Sequence, residues 1–204
     1  MKGYSSILAI ENYLLLTIEA SYQEQVENWI ASIEKFIDQL TGRNFVADSA
    51  TSARVFDGNG RTDLLIDDCV AITKVEAGND ECGDSFTEVL AAGSGRYLAL
   101  PNNYASLGVP IRKLHLLSGY WLKGLQNARI TAKWGYSTVV PDDIKFAVTV
   151  IVAGLCCNLG QLVTSRNVQS ERIGEYSVSY ANDANWQDFA RAKQILESYK
   201  KFEI

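Results

Sequence analysis

The residues best suited to acid–base chemistry in this sequence are isolated from one another. His115, the only histidine, lies in a predicted strand and has no partner evident from the sequence. General acid–base catalysis needs a second positioned group, so a structural role is favoured. In the pairs Asp67-Asp68 and Asp142-Asp143, adjacent side chains diverge on a strand or a helix, so neither pair is preset to share a proton. No catalytic residue is predicted.

Metal and cofactor chemistry have equally little support. The run from Asp57 to Gly60 begins like a calcium loop, but Arg61 puts a cation where the fifth ligand should be. The cysteines show no spacing typical of zinc or thioredoxin-like sites, and small buried hydrophobes in a reducing cytoplasm are the favoured interpretation. These cysteines are Cys69, Cys82, Cys156 and Cys157. No metal and no cofactor are predicted.

Aromatic residues leave a second class of function open. Tyr97, Tyr104, Trp121 and Trp134 could line a sugar site, although their spacing is more typical of a core. The alternative function is therefore a glycan-binding or hydrolytic module in the middle of the chain.

Composition narrows the class of protein further. The chain has 204 residues and 47% hydrophobic content, enough for one substantial core or two small ones. A net charge of −5 argues against coating nucleic acid by charge alone. The N-terminus lacks the long apolar region of a secretory signal, and no run approaches the roughly 20 apolar residues of a membrane span. No membrane association is expected.

Hydrophobic periodicity predicts an amphipathic helix over residues 22–40. Glu34 is assigned to its wet side, and Gly42 is placed to end it in the left-handed conformation. The apolar face repeats at spacings of four and three: Val26, Ile30, Ile33, Ile37 and Leu40, widened by Trp29 and Phe36.

A strand followed by a buried helix is predicted next to Pro141. Residues 128–136 alternate, with Ile130, Ala132 and Trp134 on one face. Pro141 suits the first position of a helix, and the two aspartates after it suit the positive end of the helix dipole. The apolar run that follows is therefore predicted as a helix, although its β-branched residues would also permit a strand.

In the middle of the chain, apolar and polar residues alternate with a period of two. Strands flank Asp57-Gly58-Asn59-Gly60, whose Asp-Gly and Asn-Gly steps predict a tight hairpin. Further short strands are predicted over 70–77, 85–90, 96–100 and 111–117. We therefore predict an α+β fold: a small helical core of three or four helices formed by residues 1–50 and 139–204, with a β-rich insert over 51–138.

A polar segment, residues 164–183, precedes a last helix predicted over 184–200 with Asn182 or Asp183 as its N-cap. It has too little apolar content to order itself, so a partner could order it by strand addition or through its tyrosines. A simple surface linker is the alternative. The residues predicted to contact another subunit or a portal are Arg166, Glu171, Arg172, Glu175, Tyr176, Ser177 and Tyr180.

Four stretches, in order, resemble the head–tail connector proteins (adaptor or head-completion proteins) of long-tailed bacteriophages and prophages. They are IDQLTGRNF at 37–45, FDGNG at 56–60 leading into LLI at 64–66, AKWGY at 132–136 followed by PDDIK at 141–145, and ERIGEYSVSY at 171–180.

The resemblance implies a structural virion protein of the neck, assembled in the host bacterial cytoplasm, rather than an enzyme. It implies a ring, usually of twelve copies, beneath the portal protein. The ring would receive the next connector or tail protein and continue the DNA channel without sequence-specific binding. The insert is larger than in the smallest relatives, which are mainly helical.

Overall fold

A computed structural model describes residues 2–81, 83, 85–89, 96–158, 170–173, 176–179 and 183–201. The helices are α1 (Ile7–Leu14), α2 (Ala20–Thr41), α3 (Tyr104–Leu107), α4 (Asp142–Asn158) and α5 (Asp183–Ser198). The strands are β1 (Ser52–Gly58), β2 (Asp63–Gly78), β3 (Phe86–Glu88), β4 (Tyr97–Leu100), β5 (Ile111–Leu116), β6 (Gly124–Trp134), β7 (Ser170–Ile173) and β8 (Tyr176–Ser179).

The predicted α+β class is confirmed, because a six-stranded antiparallel sheet lies between α2 and α4 in the chain. The chain divides into two compact units. Unit 1 consists of Met1–Arg43 and Val140–Ile204, and unit 2 consists of Asn44–Val139. None of the described helices combines the length and the apolar character needed to cross a bilayer.

In unit 1, α2 confirms the first predicted helix. It ends at Gly42, which has φ +66° and whose N–H donates to the Asp38 carbonyl. Val26, Ile30 and Ile37 are fully buried, whereas Ile33 is only half-buried and Phe36 is 50% exposed. The buried face is therefore rotated away from the predicted one.

The assignment of Glu34 to the wet side of α2 is wrong. Its side chain lies on the buried face, and the residue is 2% exposed. Its two carboxylate oxygens accept hydrogen bonds from the backbone N–H groups of Lys2 (2.7 Å) and Tyr4 (2.8 Å). The N-terminal segment thus covers this side of α2, and its two donors compensate for the burial of the carboxylate.

The apolar run after Pro141 forms α4, which confirms the helix prediction over the strand alternative. Asp142 and Asp143 occupy its first turn. The side chains of Ile144, Val148 and Val152 are completely buried. The last helix begins at Asp183, and the other predicted cap, Asn182, lies outside the described residues.

In unit 2, the sheet order is β1-β6-β2-β5-β4, and β3 pairs with the end of β2. The predicted alternation of β6 is confirmed: Ile130, Ala132 and Trp134 are buried, and the residues between them are half-buried. These side chains form the apolar core with residues of β2 and β5 such as Leu64 and Leu114.

The predicted hairpin at residues 57–60 is wrong. β1 and β2 do not pair with each other, because β6 lies between them and pairs with both. The glycines are needed for other reasons: a Cβ on Gly58 would collide with the Leu122 carbonyl, and Gly60 has φ +74°, a conformation that favours glycine. Local turn residues identified the bend correctly but could not reveal that β1 pairs with a strand that begins only at Gly124.

Ile30→Ala should lower the free energy of unfolding of unit 1 by about 2–5 kcal/mol, because it leaves a cavity in a packed core. Ile33→Ala should cost clearly less, because Ile33 is already half in solvent. Chemical denaturation followed by circular dichroism would measure both. Equal losses would contradict the orientation of α2.

Glu34→Gln should destabilise unit 1 by about 1–3 kcal/mol, because one of two buried backbone donors loses its acceptor and faces an amide donor instead. Lys35→Gln on the exposed side of the same helix is the matched control and should be neutral. A neutral Glu34→Gln variant would mean that the N-terminal segment is not held by this carboxylate.

Candidate assembly interface

Within unit 1, the described strands of the segment predicted to make contacts, residues 170–173 and 176–179, form a small β-ribbon. β7 pairs antiparallel with β8, which places Arg172 opposite Ser177 and Ile173 opposite Tyr176. Glu171, Arg172, Tyr176 and Ser177 therefore belong to one two-stranded sheet. The other predicted contact residues, Arg166, Glu175 and Tyr180, lie outside the described residues.

This ribbon has unused pairing capacity. Each strand has four residues, and neither pairs with any other strand in the described part of the chain. A two-stranded ribbon is marginally stable by itself in water. Its outer edges carry backbone donors and acceptors that a further strand can satisfy. The ribbon is therefore suited to strand addition.

Two apolar surfaces also lie on unit 1. One is a shallow groove, which α1, α4 and α5 line through Leu14, Val150, Gly154 and Phe189. At its rim, the Tyr13 hydroxyl donates to Asp188 at 2.6 Å. Burial and the neighbouring carboxylate raise the pKa of Tyr13 to about 12, so this hydroxyl stays protonated at neutral pH.

The second apolar surface is a stripe along α2. Trp29, Ile33, Phe36 and Leu40 repeat at spacings of four, three and four, which is typical of a helix that packs against another helix. Phe36 and Leu40 are exposed. Sequence reasoning identified these residues but assigned them to the core.

His115 has a partner that the sequence did not reveal. Its Nδ1 lies 2.5 Å from Asp63 Oδ1, and Lys113 Nζ lies 3.0 Å from the other oxygen. The hydrogen bond with His115, followed by the one with Lys113, lowers the pKa of the Asp63 carboxyl. All three side chains are more than a third exposed, so Asp63 forms a solvated ion pair with Lys113 and a hydrogen bond with His115 across β2 and β5. The sequence gives no direct sign of it, because it depends on the pairing of distant strands.

The aromatic residues of the alternative sugar site belong to the core of unit 2. Trp121 and Trp134 are 1% exposed, and Tyr97 is also buried. Tyr104 packs against the same core. Stacking on a sugar requires exposed ring faces, so these rings cannot provide the site.

Thiol and metal chemistry find no support among the described residues. Burial raises the pKa of Cys69 to about 12 and that of Cys156 to about 11, which disfavours the reactive thiolate. No group of three or more histidine, cysteine or acidic side chains is placed to hold a metal within the described part of the chain. In the loop that resembles a calcium site, Asp57 accepts from the Gln126 N–H at 2.7 Å.

A carboxylate that two cations share lies elsewhere on the sheet. Glu76 in β2 accepts two hydrogen bonds from Arg129 (2.8 and 2.9 Å) and one from Lys74 (2.9 Å). These bonds, those of Arg129 first, lower the pKa of Glu76 to about 2. The guanidinium also lies over the ring of Phe86, 4.3 Å from its centroid. The cluster joins β2, β6 and β3.

Glu76→Gln should destabilise unit 2 at pH 7 by about 1–2 kcal/mol, a value discounted because both cations are around 40% exposed. The folded-state pKa lies below the ordinary value, so the stabilisation is complete above about pH 4.5 and is lost as pH falls towards 2. The difference between variant and native protein should therefore shrink between pH 5 and pH 2. Denaturant titrations across this range would show it, and a constant difference would contradict it.

Comparisons with known proteins give a match in structure. No protein-family model and no curated protein matches the sequence. A chain from the "Neck of empty GTA particle computed with C6 symmetry" matches with a TM-score of 0.51 and 10% identity, over 97% of this chain and 90% of that one. A chain from the "Neck of native GTA particle computed with C12 symmetry" matches with a TM-score of 0.48 and 9% identity, over 97% and 89%. Over 97% of its length, the chain therefore shares its fold with a chain from the neck of the empty GTA particle.

Proposed function

We propose that this protein is a structural component of the neck of a phage-like particle, where it forms a ring between the portal and the tail or the next connector. The observation that carries the proposal is the fold shared with the neck of the empty GTA particle, over 97% of this chain. The sequence resemblance to head–tail connector proteins agrees with it independently.

The proposed ring has twelve copies. The neck of the empty GTA particle was computed with C6 symmetry, and a ring of twelve also contains a sixfold axis. A closed ring of identical subunits needs two different complementary surfaces on each subunit. Unit 1 offers the β7–β8 ribbon, the apolar groove and the α2 stripe as candidates.

The proposed contact role applies to all the residues predicted from the sequence: Arg166, Glu171, Arg172, Glu175, Tyr176, Ser177 and Tyr180. Its open edges and its tyrosines suit an interface with a second subunit or with the portal. Contact with either partner would order a ribbon that is only marginally stable by itself.

The proposal includes passage of DNA through the ring without sequence-specific binding. The net charge of −5 per subunit disfavours adhesion of phosphate to the ring as a whole. An acidic channel would let duplex DNA slide rather than stick. Tight binding of the purified protein to duplex DNA at physiological salt would contradict this part.

A structural role also fits the way the polar groups are used. The one histidine is hydrogen-bonded to Asp63 in a solvated cluster, and the aromatic rings that a sugar site would use lie in the core of unit 2 or pack against it. We therefore propose that the protein is not an enzyme.

Electron microscopy of the purified protein, alone and with its portal protein, should show rings. The paired variant Arg172→Glu with Tyr176→Ala should remain folded by circular dichroism but lose ring or portal association in sedimentation. His115→Ala, in the solvated cluster with Asp63, is the control and should assemble normally. A folded paired variant that assembles like the native protein would remove the ribbon from the interface, and a protein that never assembles would overturn the proposed function.

A further inference from the structure

The end of β1 and the loop after it contain two dipeptides that are prone to cyclise. In Asp57-Gly58 and Asn59-Gly60, a glycine follows a carboxylate or an amide side chain. Glycine has no side chain to shield its backbone nitrogen, so this nitrogen can attack Cγ of the preceding residue and close a succinimide ring. Asparagine is among the chemically labile residues of proteins. Because Asn59 is exposed to solvent, this tetrapeptide is a candidate for spontaneous modification.

At Asn59 the reaction is a deamidation. The Gly60 nitrogen forms a bond to Cγ of Asn59 and gives up its proton, while the bond from Cγ to Nδ2 breaks and the amide group leaves as ammonia. Water then opens the ring at either of its carbonyls, which yields aspartate or isoaspartate. The Gly60 nitrogen must therefore lose its proton, and the Asn59 amide must turn towards it.

The fold occupies this nitrogen. The Gly60 N–H donates to the Trp121 carbonyl at 2.8 Å, and the Trp121 N–H donates back to the Arg61 carbonyl at 2.8 Å. The indole Nε1 of Trp121 donates to the Thr62 carbonyl at 3.1 Å, and Trp121 is 1% exposed. The Gly60 nitrogen can thus react only after the loop has separated from a residue that the core holds in place.

The side chain of Asn59 is held as well. Its Nδ2 donates to the Asp63 carbonyl at 2.8 Å, and its Oδ1 accepts from the Arg61 N–H at 2.9 Å. Rotation of the amide towards the Gly60 nitrogen breaks these hydrogen bonds. Cyclisation in the folded protein therefore costs contacts of both the attacking nitrogen and the side chain that it attacks.

The first dipeptide is closed by the same part of the chain. The buried Gly58 N–H donates to Oδ1 of Asn127 at 2.8 Å. The Asp57 carboxylate accepts from the Gln126 N–H at 2.7 Å. Both nucleophilic nitrogens are therefore bound by residues 121–127, which protect the tetrapeptide as a whole.

We propose that Asn59 is a latent deamidation site, which residues 121–127 keep unreactive in the folded protein and which reacts when the loop separates from them. The rate in the folded protein then follows the population of the open form. Deamidation also hinders closure of the loop, because a carboxylate at position 59 cannot donate to the Asp63 carbonyl and brings its charge against that oxygen. A transient opening of unit 2 would thus leave a permanent chemical change in the chain.

The test compares the folded protein with the protein in denaturant, both incubated in mildly alkaline buffer and analysed by peptide mass spectrometry. Deamidation at Asn59 should be at least about tenfold slower in the folded protein, because the site is closed in most molecules. Asn102, which is also exposed but precedes Asn103, is the internal control and should react much more slowly than Asn59 in denaturant. Equal rates at Asn59 in the two states would overturn the proposal, as would an unreactive Asn59 in denaturant.

Trp121→Phe tests the protection by residues 121–127, because it removes the indole donor to Thr62. Deamidation at Asn59 should become faster in the folded variant and stay unchanged in denaturant, where this hydrogen bond does not exist. An unchanged rate in the folded variant would overturn the protective role of these residues.

Asn59→Asp tests the effect of the modification on the loop. Amide hydrogen exchange of residues 59–62 should become faster, because the loop has lost a hydrogen-bond donor. Asn102→Asp adds the same charge at an exposed position of unit 2 and should leave this exchange unchanged. Native protection of residues 59–62 in the Asn59→Asp variant would overturn the effect on closure.

Discussion

The side-chain amide of Asn127 holds together the part of unit 2 where its chain segments converge. It is buried; its Oδ1 accepts from the Gly58 N–H at 2.8 Å, and its Nδ2 donates to the Leu122 carbonyl at 2.8 Å. These bonds fix the end of β1 against the start of β6, where a Cβ at Gly58 would have no room. The backbone ladders of β6 with β1 on one side and β2 on the other continue from this junction. An isosteric carboxylate would lack the donor, and an apolar side chain would leave a buried N–H without an acceptor.

The sequence predicted what depends on neighbours within a few residues. The 3.6-residue period located α2, the alternation of β6 identified its buried face, and Pro141 with two aspartates marked the start of α4. The side on which Glu34 lies could not be predicted in this way, because it depends on donors from residues 2 and 4 that fold back over α2. Hydrophobic periodicity assigns a carboxylate to solvent by default, and only the tertiary fold supplies its partners.

Strand pairing was the other feature that could not be predicted from the sequence. The turn residues at 57–60 are real, but pairing across distant segments is not encoded in any local window. For the same reason, the sequence could not reveal the hydrogen bond between His115 and Asp63, which are 52 residues apart. The edge position of β1 likewise became visible only once the strand order was known. Whether a strand lies at an edge depends on the whole sheet, so the sequence of a single strand cannot reveal it.

The division of the chain also bears on how it folds during synthesis. Unit 2 is formed by one continuous segment, Asn44–Val139, whereas unit 1 joins both ends of the chain. On the ribosome, the sheet can complete its core while the first 43 residues still lack α4 and α5, against which α2 packs. The faces of α1 and α2 that pack against later helices stay exposed until the last third of the chain has been translated. The nascent N-terminal helices are therefore the part of this protein with the longest exposure to chaperones and to premature association.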